Sequence, residues 1–420
     1  MTSAAPTPAR GVDGSDEPLA ALDGLRILDL CDSRTAYATK LFADLGADVI
    51  MVESEVDGDD PRSAGPLLDG EPGQSLSFAY AGTNKRSITL DVSTEGGRAA
   101  FLRLVAGADA VVESFGPGVM ETMGLGYEVL RDVNPAVVLT RISPFGQDGP
   151  LKDWLATDLV LWAMSGMMSL SGYADTEPLM VEGRQAYYAA SLFAALGTLV
   201  ALEAADSSGQ GQQVDVSMQE AASMGLENAA QFWQMEGVCR TRSGTESVRA
   251  GTGLFQCVDG YVYLTASGMA ERAWPRLLAW MEAWGAPGAA ELSAPEWKDP
   301  AYTRSTAAIL RFKALFAGFV AERTRTELYE EAQARHIPLC PVNNPLDVRD
   351  SPQLQSRGHL VETRPDGYAR AVTMPGPPYR LAETPWRLRT PAPVRGSSTQ
   401  DVLQEAGLAW PLPSSVGGGS

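Results

Sequence analysis

At 420 residues the chain is long enough for two or three domains, each with a sizeable core. Hydrophobic residues at 45% and charged residues at 20% fit a globular protein and exclude a disordered or fibrous one. A net charge of −19 argues against nucleic acid and anionic membranes as partners, and it requires any bound polyanion to meet a local basic patch.

Residues 1–17 are rich in Ala, Pro, Thr, Gly and Asp and read as disordered. Gly24–Leu30 reads as a buried strand, Tyr37–Leu45 as a helix stopped by Gly46, and Asp48–Glu53 as the next strand. This unit is the size of half a mononucleotide-binding fold. Asp59–Gly73 is a loop rich in Gly, Pro and Asp that carries Arg62; an arginine in such a loop is ordinarily just solvated. Thr83-Asn84-Lys85-Arg86 sets two cations before Ser87–Val92, whose alternation of polar and apolar residues suits a half-buried strand. Ser93 or Thr94 can cap a helix beginning near Glu95, with Ala99, Phe101, Leu102 and Val105 on one face. Asp109–Glu113 is a short buried strand. It ends in Ser114-Phe115-Gly116-Pro117-Gly118, a turn at the carboxyl edge of a parallel sheet, where such sheets bind ligands.

Ala136–Ser143 is another buried strand, running into a Gly/Pro turn at Pro144–Pro150. Asp158–Met168 reads as a helix whose Trp162, Met164, Met167 and Met168 stripe serves core packing or lines an acyl pocket. Ala186–Ala205 is a long helix rich in Ala and Leu. Gly209–Met218 forms a tight turn and strand, and Gln219–Met235 a helix. Arg240–Thr252 is a polar linker, and Leu254–Thr265 a hairpin around Asp259-Gly260. From Tyr379 the chain reads as Pro-rich coil. The expected organisation is a disordered N-terminus (1–17), a large domain (18–225), a linker (226–252), a small domain (253–338), a return to the large domain (339–410) and a flexible tail (411–420).

Cys31, Cys239, Cys257 and Cys340 show no CxxC or metal spacing, and no signal-peptide pattern opens the chain. They read as reduced thiols of a cytoplasmic protein, with no metal. No uninterrupted run of apolar residues suggests a membrane span. Of the two histidines, His336 and His359, the first reads as structural.

Several stretches together resemble the class III CoA-transferases, the family of formyl-CoA transferase, carnitine CoA-transferase and α-methylacyl-CoA racemase. They are Gly24–Glu53, TNKRSITLD (83–91), VVESFGPGVMETMGLGYEVL (111–130) and Gly209–Met218. The resemblance spans about Leu19 to Pro391 and is strongest in the first half. It implies an α/β fold: a Rossmann-like large domain built from both chain ends, a smaller α+β middle domain, and two interlocked chains. It also implies that coenzyme A or acyl-CoA is the ligand, cradled by Arg62, Thr83, Asn84, Lys85, Arg86, Ser114, Phe115, Gly116, Met120 and Arg141.

One departure is a polar turn, Cys31–Ala36, where the family has a small Ala-Gly-Pro turn facing the thioester. The other concerns the reaction. In the family an aspartate attacks the acyl thioester, giving a mixed anhydride and releasing the CoA thiolate, which then re-attacks. Counting back from Gly209 along the long helix reaches Tyr187 where that aspartate would stand, and no Asp lies between Asp175 and Asp206. Three readings follow. A relocated carboxylate, Glu182 or Asp158, serves an active transferase. Alternatively the chain is a CoA-binding subunit paired with a catalytic homologue, as in benzylsuccinate CoA-transferase. Or Tyr187 or Tyr188 acts as an acid or base in an isomerisation, elimination or hydrolysis of an acyl-CoA, with Arg184 close enough to lower its pKa. Both tyrosines can equally be packing residues. A homodimer and a heterodimer with a related chain both remain open.

Overall fold

The computed structural model describes residues 20–54, 61–242, 244, 247–267 and 272–411. The stretch expected to be disordered (1–17), and all of the expected tail but Pro411, lie outside them.

The chain forms two compact units, one made of residues 1–168, 180–239 and 357–420, the other of 169–179 and 240–356. The first is built on β1 (Arg26–Leu30), α1 (Ala36–Asp44), β2 (Asp48–Glu53), α2 (Leu76–Ala81), β3 (Arg86–Thr89), α3 (Glu95–Val105) and β4 (Ala110–Glu113). It continues through α4 (Val119–Thr122), α5 (Tyr127–Val133), β5 (Val138–Ser143), α6 (Asp158–Met164), α7 (Gln185–Ser208), β6 (Gln213–Ser217), α8 (Met218–Ser223) and α9 (Glu227–Glu236). Six strands pair in the order β3-β2-β1-β4-β5-β6, all parallel. Chain order reverses between β1 and β4, so the crevice outside their carboxyl ends is the natural ligand position.

Both faces of this sheet are covered, as a parallel sheet requires. On one face Ile27, Val49, Val112 and Val138 pack with Phe42 of α1 and Ala190 and Ala194 of α7. On the other, Leu28, Ile50, Ile88 and Val111 pack with Phe101 and Leu104 of α3, and with Val402 and Leu403 of the helix Thr399–Glu405. That last helix falls where coil was expected. α7 is long and apolar enough to cross a bilayer by composition alone, with a mean hydropathy of 1.6. Here it packs along α1 and β5.

Local chemistry sets the element ends. Gly209 (φ 70°) ends α7 in the left-handed conformation. A Cβ on Gly211 would lie 1.9 Å from the Val137 carbonyl oxygen, so the turn into β6 admits only glycine there. The helix expected over 158–168 stops at Met164 because Gly166 turns left-handed (φ 87°). The one expected over 219–235 breaks between α8 and α9 around Gly225, whose Cβ would meet the Met167 sulfur at 2.9 Å.

The second unit has a three-stranded antiparallel sheet, β7 (Thr252–Cys257), β8 (Gly260–Thr265) and β9 (Leu339–Pro341). Helices Ala273–Ala283 and Thr306–Val320 cover it through Leu277, Trp280, Phe312 and Phe316. Pairing of β9 with β8 keeps the chain in this unit past Pro338. A short antiparallel pair, Leu360–Thr363 with Val372–Pro375, belongs to the first unit.

Candidate functional site

A cavity of about 570 Å³ opens at the carboxyl edge of the sheet, in the size range of small-molecule sites. Strand ends and the turns after them line it: Leu30 to Arg34 after β1, Met51 to Ser54 at the end of β2, Leu90 to Ser93 after β3, and Ser114 to Gly116 after β4. Of the residues expected to cradle coenzyme A, Ser114, Phe115 and Gly116 are here. Missed by the sequence reading were Leu90, Ser93, Met123 and Arg395, which also line it. Leu90 and Ser93 follow the end of β3, Met123 caps the end of α4, and Arg395 lies in the C-terminal segment, so their signal was position rather than residue type.

Hydrogen bonds across the switch point shape the cavity wall. The Asp32 amide donates to Ser114 Oγ (2.9 Å), tying the β1 turn to the β4 turn. The fully buried Glu113 accepts from the Phe115 amide (2.5 Å) and from Arg141 Nε (2.8 Å). Arg141 also pairs with Glu121 at 2.7 Å. Desolvation pushes the Glu113 carboxyl up to about 7, against the pull of Arg141. Burial, helped by neighbouring Asp29, raises the Cys31 thiol well above its usual range, so it is no thiolate.

The remaining expected ligand residues do not line this cavity; Asn84, Lys85 and Arg86 border another, of about 890 Å³, with Gly24 to Arg26 and Gly46 to Asp48. Lys85 Nζ is buried and donates to Asp29 Oδ2 (2.9 Å), Thr39 Oγ1 (2.8 Å) and the Ala36 carbonyl (3.0 Å). An ammonium has three donors, and these bonds use all of them. Asn84, at φ 60°, donates to Asp44 (2.8 Å) and accepts from the Arg389 and Thr390 amides, clamping the returning C-terminal segment. Thr83 and Lys40 complete that buried network around Asp44. Arg86, at the amino end of β3, pairs with Asp48 and Glu405. Arg62 makes a bidentate pair with Glu53 (2.8 Å each) and lies over the Phe78 ring. Met120 is wholly buried. The cations lining the cavity are therefore Arg34, which pairs with Asp32 (2.5 Å), and Arg395, which donates to the Ser54 carbonyl.

The three candidate catalytic groups meet unequal fates at the amino end of α7. Asp158 opens α6, and its Oδ1 accepts the Ala186 and Tyr187 amides (3.0 and 3.3 Å), capping α7 from outside the helix. Its Oδ2 is buried with no partner. Burial raises the Asp158 carboxyl, opposed by those two amides. Tyr187 is 9% exposed and packs in the core against α1 and the sheet. Burial raises its hydroxyl, while Arg34 pulls it down. Glu182 is exposed and precedes the helix. Arg184 sits in the left-handed region (φ 59°), and its guanidinium reaches the Ser33 and Gly65 carbonyls. Among the described residues no cluster of three His, Cys, Asp or Glu is placed to hold a metal.

The family model for CoA-transferase family III matches residues 22–399. The chain belongs to CoA-transferase family III. It is 38% identical over 385 residues to the succinyl-CoA:(R)-benzylsuccinate CoA-transferase subunit BbsE of Thauera aromatica, covering 91% of this chain and 93% of that protein. It is 29% identical to the succinyl-CoA–L-malate CoA-transferase alpha subunit of Chloroflexus aurantiacus, covering 93% of this chain and 90% of that one. Among solved structures it resembles a CAIB/BAIF family protein from Brucella suis, with a TM-score of 0.81, 28% identity, and 92% and 99% of the two chains covered.

Proposed function

We propose that this chain binds coenzyme A and its thioesters at the carboxyl edge of the sheet, as one subunit of a CoA-transferase whose nucleophilic carboxylate comes from a related chain. The observation that carries this reading is the amino end of α7. Position 187 is a buried tyrosine, and Asp158 has one oxygen held by two helix amides and the other buried. Of the two candidate carboxylates, Asp158 is held by the helix amides, and Glu182, though exposed, lies before the helix. Three relatives are named as subunits of CoA-transferases, which supports a heterodimer with a family member. Their names share succinyl-CoA, so succinyl-CoA is the first donor to test.

In this reading Leu90, Phe115 and Met123 supply apolar surface to the coenzyme, and Arg34 and Arg395 face its phosphates. Lys85, Asn84 and Arg86 act indirectly, by fixing the strands and turns that form the wall. The setting is cytoplasmic, consistent with free cysteines.

A second reading has its own support. Asp158 sits at a helix amino terminus, whose amides can hold the oxygen of an acyl adduct. A side-chain rotation that freed it would make it the nucleophile.

Calorimetry with CoA and succinyl-CoA tests binding, and a transfer assay with and without the co-expressed homologue tests the division of labour. Binding by the chain alone with turnover only in the mixture is the expected result. No binding at millimolar CoA, or full turnover by the chain alone, overturns the proposal.

A further inference from the structure

The cavity wall that follows β4 hangs on one buried carboxylate. Glu113 ends β4, and its two oxygens are divided between two donors: Oε2 takes the Phe115 amide and Oε1 takes Arg141 Nε. Arg141 is its register partner on β5. The outer edge of that guanidinium grips α4, where Glu121 accepts from both Nη atoms at 2.7 and 3.0 Å. Nη1 also reaches Gln213 Oε1 of β6 at 3.4 Å. Phe115 and Met123, the residue that caps the end of α4, both line the cavity. The turn and the short helix behind this wall are thus both held through the Glu113–Arg141 pair.

An ionised carboxylate suits this station because it offers one acceptor oxygen to each donor. Once protonated, one oxygen carries a hydrogen that meets an N–H, and the hold on Phe115 or on Arg141 weakens. Protonation is within reach. Desolvation, helped by the Glu121 charge, brings the Glu113 carboxyl up to about 7 against Arg141 and the Phe115 amide. The other elements packed around it carry their charges elsewhere. β1 presents Leu30 beside it. Arg98 of α3 lies against Gly124, and Arg103 reaches the Ala406 carbonyl. α5 brings Tyr127, whose hydroxyl burial raises, the surface pair Glu128–Arg131, and exposed Asp132. The helix Thr399–Glu405 has Asp401 exposed and Glu405 paired with Arg26 and Arg86.

We propose that Glu113 is the positioning residue of this wall: its ionised carboxylate sets Phe115 and α4 to receive the coenzyme, so that binding drives off the Glu113 proton. The inference rests on the CoA-binding reading above. Below about pH 7 the empty site holds the proton and the coenzyme must displace it, so affinity falls as pH falls.

The test is calorimetry of CoA binding to the full chain at pH 6 and pH 8, and at pH 7 in two buffers of different ionisation enthalpy, which counts protons. A phosphomonoester titrates near about 6 itself, so each figure is read as parent minus Glu113→Gln. A tenfold preference of the coenzyme for the ionised form predicts binding about fivefold tighter at pH 8 than at pH 6, and release of about 0.4 proton per site at pH 7. Glu113→Gln keeps one acceptor and sets an amide N–H against the other donor. It is expected to bind roughly tenfold more weakly than the parent at pH 8 and to lose both the extra pH dependence and the extra proton. A residue that only supports the fold would change affinity without changing the proton count. Should that variant fail to fold, Glu121→Gln, at a half-exposed position, is expected to move the pH dependence to lower pH by taking a like charge from beside Glu113. A pH dependence and proton count identical in the parent and Glu113→Gln, or a pH dependence that Glu121→Gln leaves in place, overturns the inference while the CoA reading stands. No binding of CoA by the parent at either pH overturns both.

Discussion

Replacing Lys85 by methionine separates a ligand cation from a structural one. Lys85 and Asp29 have side chains 0% and 1% exposed, with Nζ 2.9 Å from the carboxylate. Methionine fills the volume but leaves Asp29 ionised in the core with only Thr39 Oγ1 and the Cys31 amide as donors. Breaking a buried pair by removing one partner costs about 3–5 kcal/mol, mostly the penalty of an uncompensated charge. That is a large part of a typical folding stability of roughly 5–15 kcal/mol. The double variant Lys85→Met/Asp29→Asn removes both charges and is expected to recover all but about 1–2 kcal/mol. Urea denaturation gives the stabilities, and calorimetry on the double variant gives CoA affinity, expected within about threefold of the parent because no Nζ proton is left for a phosphate. A single variant destabilised by less than about 1 kcal/mol, or a stable double variant that no longer binds CoA, would refute the reasoning.

Three further outcomes are expected. Glu113 titrates near 7 in the fold, above the usual value for glutamate of about 4.3, so the folded protein holds the extra proton between those values. Its contribution to stability is full below about pH 4.3 and is lost as pH rises through about 7, by up to about 4 kcal/mol; Glu113→Gln should therefore gain on the parent at pH 8 relative to pH 5.5, and an equal difference in melting temperature at both pH values counts against it. Gly97→Ala would put a Cβ 1.8 Å from the Asp91 carbonyl oxygen at the start of α3, so a loss of more than about 2 kcal/mol in thermal or urea melts is expected. Asp158→Asn keeps an oxygen to cap α7, so melting should change by less than about 1 kcal/mol and turnover of the assembled enzyme by only a few-fold; a loss on the order of a thousandfold in kcat would make Asp158 the nucleophile.

The parallel sheet was legible because its strands are short apolar runs between helical stretches, and Ser114-Phe115-Gly116 could be set at its ligand edge from strand polarity alone. The destination of the four residues Thr83 to Arg86 was not. A sequence shows a cation but not its partner, and theirs stand far off: Asp29 is 56 residues from Lys85, Asp44 is 40 from Asn84, and Glu405 is 319 from Arg86. The same holds for the C-terminal segment. Val402 and Leu403 make a helix worth forming only against Ile88 and Leu104, so a local reading found coil. The α7 terminus was half legible: Tyr187 can be placed near its start by counting back from Gly209, whereas the capture of that pole by Asp158, 28 residues upstream of Ala186, needed the fold.

Whether this chain ever carries the acyl group decides between the two roles proposed for it. Incubation with succinyl-CoA, trapping with hydroxylamine and peptide mapping, on the chain alone and with its homologous partner, measures this directly. No adduct on this chain in either mixture, and one on a partner carboxylate, is the predicted result. A hydroxamate on Asp158 or Glu182 would contradict it.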